Sequence, residues 1–326
     1  MSEDFAAAAM MRLIAHGLRR EGVALPGAAA DQPGPAEDRG RGTHGGRVTP
    51  AGRAVTGAPG TEAHVPLDDK RQLLQALLAA HGPELLLRIG QHVTDAPDEP
   101  TASALLAASD PPDLIARWQR LERYVHSRHR VQVLAQAPGR LHLAHVSLAA
   151  GEPPWPAEDL LVWGLLIGLL KRLGTPGLAP VVDLAATAEL VLHWQPPLPA
   201  PTARAGDQAA APADTDPSAP ALLAAAEQAL ADDPGAPWTL ARLASHLGTT
   251  PRTLQRRLAE QGRSFSALWM AARLKVAAQL LLHAPASTAE IGYRSGFADQ
   301  AHFTRSFRRH TALTPARYRV EFGARD

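Results

Sequence analysis

Two nine-residue stretches decide how this chain is read: Thr250-Pro251-Arg252-Thr253-Leu254-Gln255-Arg256-Arg257-Leu258 and Asp299-Gln300-Ala301-His302-Phe303-Thr304-Arg305-Ser306-Phe307. Each opens on a residue suited to cap a helix, Thr250 or Asp299, whose side-chain oxygen pairs an otherwise orphaned backbone N–H. Pro251 follows at the first helical position, where its missing N–H costs nothing. A 3.6-residue period then puts Leu254 and Leu258, or Phe303 and Phe307, on one face. On the opposite faces fall Arg252, Gln255, Arg256 and Ala259 in the first helix, and Gln300, Ala301, His302 and Arg305 in the second.

Long donors on the exposed face of a short helix suit a recognition helix, whose N-terminal part enters the major groove. Arg pairs bidentately with guanine and Gln with adenine. The expected base readers are therefore Arg252, Gln255, Arg256, Gln300, His302 and Arg305. Thr250, Arg257, Arg308 and Arg309 are expected to meet phosphates. A supporting helix and a tight turn precede each stretch: 239–246 with Leu247-Gly248-Thr249, and 289–295 with Gly296. Between the two units, 265–282 reads as one helix, with Phe265, Trp269, Ala272, Val276 and Leu280 as its apolar stripe. At about 1.5 Å per residue it is about 27 Å long, close to the roughly 34 Å of one DNA turn. Thr314-Pro315-Ala316-Arg317-Tyr318 starts a last short helix.

Charge supports this division. The whole chain is near neutral, with 33 Lys and Arg against 32 Asp and Glu. Residues 237–326 hold 14 of those bases and 5 of those acids, a balance of +9, which leaves 19 and 27, or −8, for the rest. A basic module joined to an acidic one is the footprint of a nucleic-acid reader with a separate domain.

Upstream the period changes. Helices are expected at 5–20, 70–80, 83–89, 113–128 and 157–173. Alternation at 131–136 and 140–146, around Ala137-Pro138-Gly139, signals a β-hairpin, and 188–194 reads as a further strand. The Gly/Pro/Arg-rich stretch 26–60 has too few large apolar residues to offset its ordering entropy and reads as disordered. The expected organisation is 1–64, an N-terminal helix with that insert; 65–195, an α+β effector-sensing or dimerisation domain; 196–220, a Pro/Ala-rich linker; and 221–326, an all-α domain of two helix-turn-helix units joined by a long helix.

The segment Glu290-Ile291-Gly292-Tyr293-Arg294-Ser295-Gly296-Phe297-Ala298-Asp299-Gln300-Ala301-His302-Phe303, continuing to Arg309 and ending in Leu313-Thr314-Pro315-Ala316-Arg317-Tyr318-Arg319, resembles the signature of the AraC/XylS family of bacterial transcription regulators. Thr253-Leu254-Gln255-Arg256-Arg257-Leu258, with its spacing to Gly262, carries the same resemblance into the first unit. Three positions depart from the pattern: Gly292 where Ala is usual, Ala301 where Ser is common, and Ala312 where Gly is usual. Glycine inside a helix costs about 0.5–1 kcal/mol, so the second unit is expected to be the weaker. The middle region, through Val65-Pro66-Leu67 and Trp118-Gln119-Arg120-Leu121-Glu122-Arg123-Tyr124, resembles the arabinose-binding-like sensor of one subgroup. The resemblance implies a double-stranded DNA operator, a small-molecule effector, RNA polymerase as a partner, and a homodimer as a possible state. The alternative from another class is an architectural protein that coats DNA without sequence choice.

No catalytic residues stand out, because Gly-x-Ser-x-Gly, Walker A and His-Glu-x-x-His motifs are all missing. With no cysteine, disulfides, thiolate metal sites and a cysteine nucleophile are excluded. No cofactor is expected. His81, His126, His129, His142, His145 and His193 are expected to be partly exposed polar residues rather than a metal set. His126 and His129 could share a face, whereas His142 and His145 point to opposite sides of a strand. Trp118, Tyr124, Trp163 and Trp194 read as core before pocket. No apolar run reaches the roughly 18–20 residues of a bilayer span, and acids at Glu3 and Asp4 do not suit a secretory start. A cytoplasmic protein without a membrane partner is expected.

Overall fold

Alternation does build a hairpin, and the hairpin seeds the only large sheet among the described residues. The computed structural model describes residues 5–24, 64–94, 100–126, 128–196 and 219–324. The stretch 26–60 and nearly all of the linker 196–220 lie outside them. β1 (Phe5–Ala7) pairs antiparallel with β2 (His64–Pro66). β3 (His129–Ala137) and β4 (Arg140–Ser147) form the hairpin, turning at Gly139 with φ +72°. β5 (Ala179–Val182) and β6 (Glu189–His193) extend it antiparallel in the order β3-β4-β6-β5. β5, with a proline in four residues, gave no alternation to read.

Helices cover one face of that sheet. The chain has α1 (Ala8–Arg20), α2 (Leu67–His81), α3 (Pro83–Gln91), α4 (Pro100–Leu106), α5 (Pro111–Val125) and α6 (Pro156–Arg172). α6 is buried continuously from Ala157 to Leu170. It lies between the inward Val131, Leu141, Leu143, Leu190 and Leu192 of the sheet and the apolar faces of α1, α2 and α3. Gly164 and Gly90 make the α3–α6 crossing possible. A Cβ on Gly164 would stand 2.3 Å from Leu87 O, and one on Gly90 2.5 Å from Leu165 N.

α5 ends three residues before the expected position. The His126 ring explains this. Its Nδ1 accepts the backbone N–H groups of Arg128 and His129 at 3.3 and 3.1 Å, which takes the chain out of the helix and into β3. Aspartate caps the other end, with Asp110 accepting from Asp113 N at 2.8 Å.

The C-terminal region is all α: α7 (Ala219–Asp232), α8 (Leu240–His246), α9 (Pro251–Glu260), α10 (Phe265–His283), α11 (Thr288–Arg294), α12 (Gln300–Thr311) and α13 (Pro315–Phe322). α10 is long and apolar enough to cross a bilayer, but its side chains pack into two cores. Leu268 and Ala272 join Leu230, Trp238, Leu243, Leu254 and Leu258 in one core. Leu274, Ala278 and Leu281 join Phe303, Phe307 and Tyr318 in a second core, which runs on into Leu105, Leu114 and Trp118 of the α+β domain. The expected stripe is thus corrected. α10 is sandwiched, so two faces are buried, and Leu268, Leu274, Ala277, Ala278, Leu281 and Leu282 matter more than Phe265, Val276 or Leu280.

Polar contacts reinforce the shared core. Tyr318 Oη donates to Pro100 O at 2.6 Å, and Arg117 Nη1 donates to Phe322 O at 3.3 Å. Tyr124 Oη donates to Glu321 Oε1 and accepts from Arg317 Nε, both at 2.7 Å.

Candidate nucleic-acid interface

Local signals position the first unit. Thr239 caps α8 by accepting from Arg242 N at 3.1 Å. Gly248 takes φ +64° in the turn, a backbone state that glycine adopts at little cost. Thr250 then caps α9, accepting from Thr253 N at 3.2 Å. Leu254 and Leu258 are buried, and Arg252, Gln255 and Arg256 are exposed on the other side. Glu260 holds both Arg256 and Arg257, at 2.9 and 3.2 Å. Exposed pairs of this kind are worth about 0.2–1 kcal/mol, so either guanidinium can be released at small cost.

The second unit repeats the design. Ser287 caps α11, Gly296 turns at φ +83°, and Asp299 caps α12 by accepting from His302 N at 2.7 Å. Gln300, Ala301, Arg305, Arg308 and Arg309 are exposed. His302 is half-buried, its ring edge-on to Phe297 at 5.4 Å, so part of its reach is spent on packing. Beneath them Phe297, Phe303, Phe307, Tyr318 and Phe322 pack one against the next, tilted or edge to face, with ring centroids 5.1–5.7 Å apart.

Two of the three departures in this unit have structural consequences of opposite sign. A Cβ on Gly292 would stand 2.8 Å from the Phe303 ring. Glycine there makes room for the ring, which corrects the expectation that it simply weakens the unit. Ala312 sits at φ +64°, alone among the described non-glycine residues in having a positive φ, at a cost of about 1–2 kcal/mol. Ala312→Gly is expected to raise stability by about 1 kcal/mol, and Gly292→Ala to lower it by about 1–3 kcal/mol through overpacking. Chemical denaturation midpoints of the two variants, moving in opposite directions, are the check.

Arg273, in the middle of α10, was not singled out in the sequence. Its guanidinium lies 3.9 Å from the Trp269 ring and 5.8 Å from the Phe297 ring, and Nε donates to Pro234 O at 3.0 Å. It bridges the loop after α7 to the turn of the second unit. A Cβ on Gly296 would meet Pro234 O at 2.2 Å, so backbone contact closes the same joint. Burial lowers the Arg273 pKa. The residue thus ties α10, the loop after α7 and the turn before α12 together.

Comparison with known proteins places this geometry. The family described as a helix-turn-helix domain matches residues 243–321. The urease operon transcriptional activator of Escherichia coli is 34% identical over 92 residues, which cover 28% of this chain and 31% of that protein. The HTH-type transcriptional regulator RipA of Corynebacterium glutamicum is 40% identical over 101 residues, 31% of this chain and 30% of that one. Residues 243–321 form an AraC-type helix-turn-helix domain. A crystal structure of a transcriptional regulator of the AraC-type DNA-binding domain-containing proteins, from Chromobacterium violaceum, shares 26% identity over 32% of this chain and 95% of its own, with a TM-score of 0.30. The chain covers only 30–31% of the length of the two curated relatives, so the AraC-type domain is what they have in common with it.

Away from the AraC-type domain, the α+β domain holds a buried polar cluster that overturns the expectation of exposed histidines. His129 and His145 are 1% and 4% exposed. The prediction that His142 and His145 diverge does hold: His142 reaches Glu189 at 2.7 Å on the outer face, and His145 reaches Asp159 at 2.8 Å inside. His126 stacks on His129 with centroids 4.7 Å apart. Lys70 Nζ lies 2.9 Å from Glu158 Oε1 and 3.0 Å from His126 Nε2. Lys70 and Arg71 follow Asp68 and Asp69, a run that reads as a solvated helix start and hides their burial.

Burial dominates the titration of this cluster. It holds His129 down to about 3, with Glu158 opposing and the neighbouring cations adding, and it holds His126 far below the ordinary histidine value. Burial lowers Lys70 against the pull of Glu158. For Glu158 burial acts upward, but Lys70, His129 and the Trp155 N–H bring it down to about 2. Glu122 is pushed up to about 7 by burial, against its bonds from Val131 N and Trp118 Nε1. One ligand-capable atom each of His126, His129 and Glu158 lies within 4.8 Å of the others. A cation would need lone pairs there. Nδ1 of His126 already accepts two backbone N–H groups and Nε2 of His129 faces Arg71, so both rings turn N–H inward. The donor set does not fit a metal.

Proposed function

We propose that this chain is a sequence-specific transcription regulator of the AraC/XylS type, working in the cytoplasm, whose α+β domain binds a small-molecule effector. The carrying observation is the pair of capped helices, α9 and α12, which bury their leucine or phenylalanine faces and expose Arg252, Gln255 and Arg256, and Gln300 and Arg305. Long donors so displayed match major-groove base edges. Arg257, Arg308, Arg309 and the Thr250 hydroxyl flank them toward the phosphates. The resemblance of the middle region to a sensor domain supports the effector reading. By family resemblance, the bound form would address RNA polymerase, as a monomer or a homodimer.

Arg256→Ala or Arg305→Ala should weaken binding to the cognate operator by about 1–3 kcal/mol and relax choice at one base position. Arg309→Ala should weaken binding to every sequence alike and flatten the salt dependence. Fluorescence anisotropy against operator and random duplexes, over a salt series, separates the two classes. A ratio of operator to random affinity near one in the unsubstituted protein would favour the architectural alternative instead.

A further inference from the structure

The buried cluster of the α+β domain has more donors than acceptors. Arg71 can only donate, so His129 Nε2, 3.2 Å from its Nη2, accepts. The His129 proton therefore sits on Nδ1, which is buried, makes no hydrogen bond and lies 3.6 Å from Glu158 Oε2. Two backbone N–H groups occupy His126 Nδ1, which leaves its proton on Nε2, facing Lys70 Nζ at 3.0 Å. Lys70 offers three N–H and no acceptor. Against these three side chains stands Glu158. Its Oε2 already takes Arg71 Nε at 3.2 Å and Trp155 N at 3.1 Å, so Oε1, buried 2.9 Å from Lys70 Nζ, is the one acceptor oxygen left for all three. The other carboxylates are committed: Glu122 to Trp118 Nε1 and Val131 N, and Asp159 to His145 and Thr187. A buried donor without an acceptor costs about 1–3 kcal/mol.

These donors line a cavity of about 50 Å³ together with the carboxyls of Glu122 and Glu158, the His145 ring, and the apolar Trp118, Leu121, Val125, Leu161 and Val162. At roughly 10–15 Å³ per water-sized occupant, it holds on the order of four non-hydrogen atoms. What fits is a small anion with acceptor oxygens and a short apolar end.

We propose that this cavity binds a short-chain monocarboxylate of acetate or propionate size, its oxygens accepting from Lys70 Nζ, His126 Nε2 and His129 Nδ1 and its alkyl end resting against Trp118 and Leu161. The proposal rests on the effector reading above and gives it a ligand class. The inward N–H groups select an anion over a metal ion. The apolar walls select a carboxylate over phosphate or sulfate, and the volume excludes long acyl chains.

The test is calorimetric titration of the full chain with acetate, propionate, octanoate, sulfate and 1-propanol, followed in parallel by tryptophan fluorescence. Saturable binding of acetate or propionate is expected, with none of the other three. Lys70→Met and His129→Phe should each weaken it at least tenfold while circular dichroism stays unchanged. Should Lys70→Met fail to fold, His129→Phe and His126→Phe carry the same comparison. Absence of saturable carboxylate binding, equal binding of propanol or sulfate, or undiminished binding in the folded variants overturns the proposal. Operator affinity measured with and without propionate keeps the two readings apart. If propionate binds at this site but leaves DNA affinity unchanged, the site stands and the effector role fails.

Discussion

Phe303→Ala is expected to cost about 3–5 kcal/mol and to loosen more than the helix that carries it. The ring is fully buried, fills the space left by Gly292, and lies between Phe297 and Phe307. Its core continues through Leu274 and Tyr318 into Leu114 and Trp118. Hydrogen exchange should therefore rise in α4 and α5 as well as in α12. Leu254→Ala, in the separate core of the first unit, should cost about 2–5 kcal/mol and leave α4 and α5 protected. Specific DNA binding should fall in both variants. If α5 kept its protection in Phe303→Ala while α12 lost it, the second helix-turn-helix and the α+β domain would be independent bodies rather than one cooperative unit.

Acid should destabilise the α+β domain strongly, and the sign follows from which state takes up protons. Unfolded His126 and His129 protonate near 6.5, whereas in the fold burial keeps His129 neutral down to about 3 and His126 lower still. Their contribution is present above about pH 6.5 and is lost as pH falls. Lys70, lowered by burial, acts in the same direction over its own, higher range. Glu122 opposes them. Pushed up to about 7 from 4.5, it adds stability that is full below 4.5 and lost as pH rises toward 7. Between pH 6.5 and 4.5, two histidine protons outweigh one carboxylate proton. The net slope is on the order of 1 kcal/mol per pH unit, or roughly 3 kcal/mol across the window. Below 4.5 Glu122 no longer compensates, and Glu158, held at about 2, adds to the loss. Urea midpoints followed by tryptophan fluorescence should decline gently to pH 4.5 and steeply beneath it. Midpoints that stayed level or rose on acidification would show that these histidines are not held neutral.

Some features were legible in the chain because their causes are local. Thr239, Thr250, Ser287, Asp299 and Thr314 each satisfy an N–H three residues on, and Gly248 and Gly296 turn where only glycine turns cheaply. Those signals need no knowledge of the rest of the molecule. They placed the helices α9 and α12 and separated exposed Arg and Gln from buried Leu and Phe. Alternation did the same for the β3–β4 hairpin. Where a buried face is shared between distant elements, the chain gave no such cue. The true faces of α10 depend on two cores meeting it from opposite sides. The value of Gly292 depends on Phe303, and the role of Arg273 depends on Pro234 and Phe297.

The amino-acid sequence by itself thus determined that this protein carries two helices built to present Arg252, Gln255 and Arg256, and Gln300 and Arg305. Capping, periodicity and turn chemistry act over a few residues, and charge is simply counted. Only the tertiary structure decided that the second of those helices shares a core with the α+β domain, and that Lys70, His126, His129 and Glu158 meet in a buried cavity. These contacts join residues 56 to 218 positions apart, and a donor's lack of an acceptor becomes visible only when every neighbour is in place.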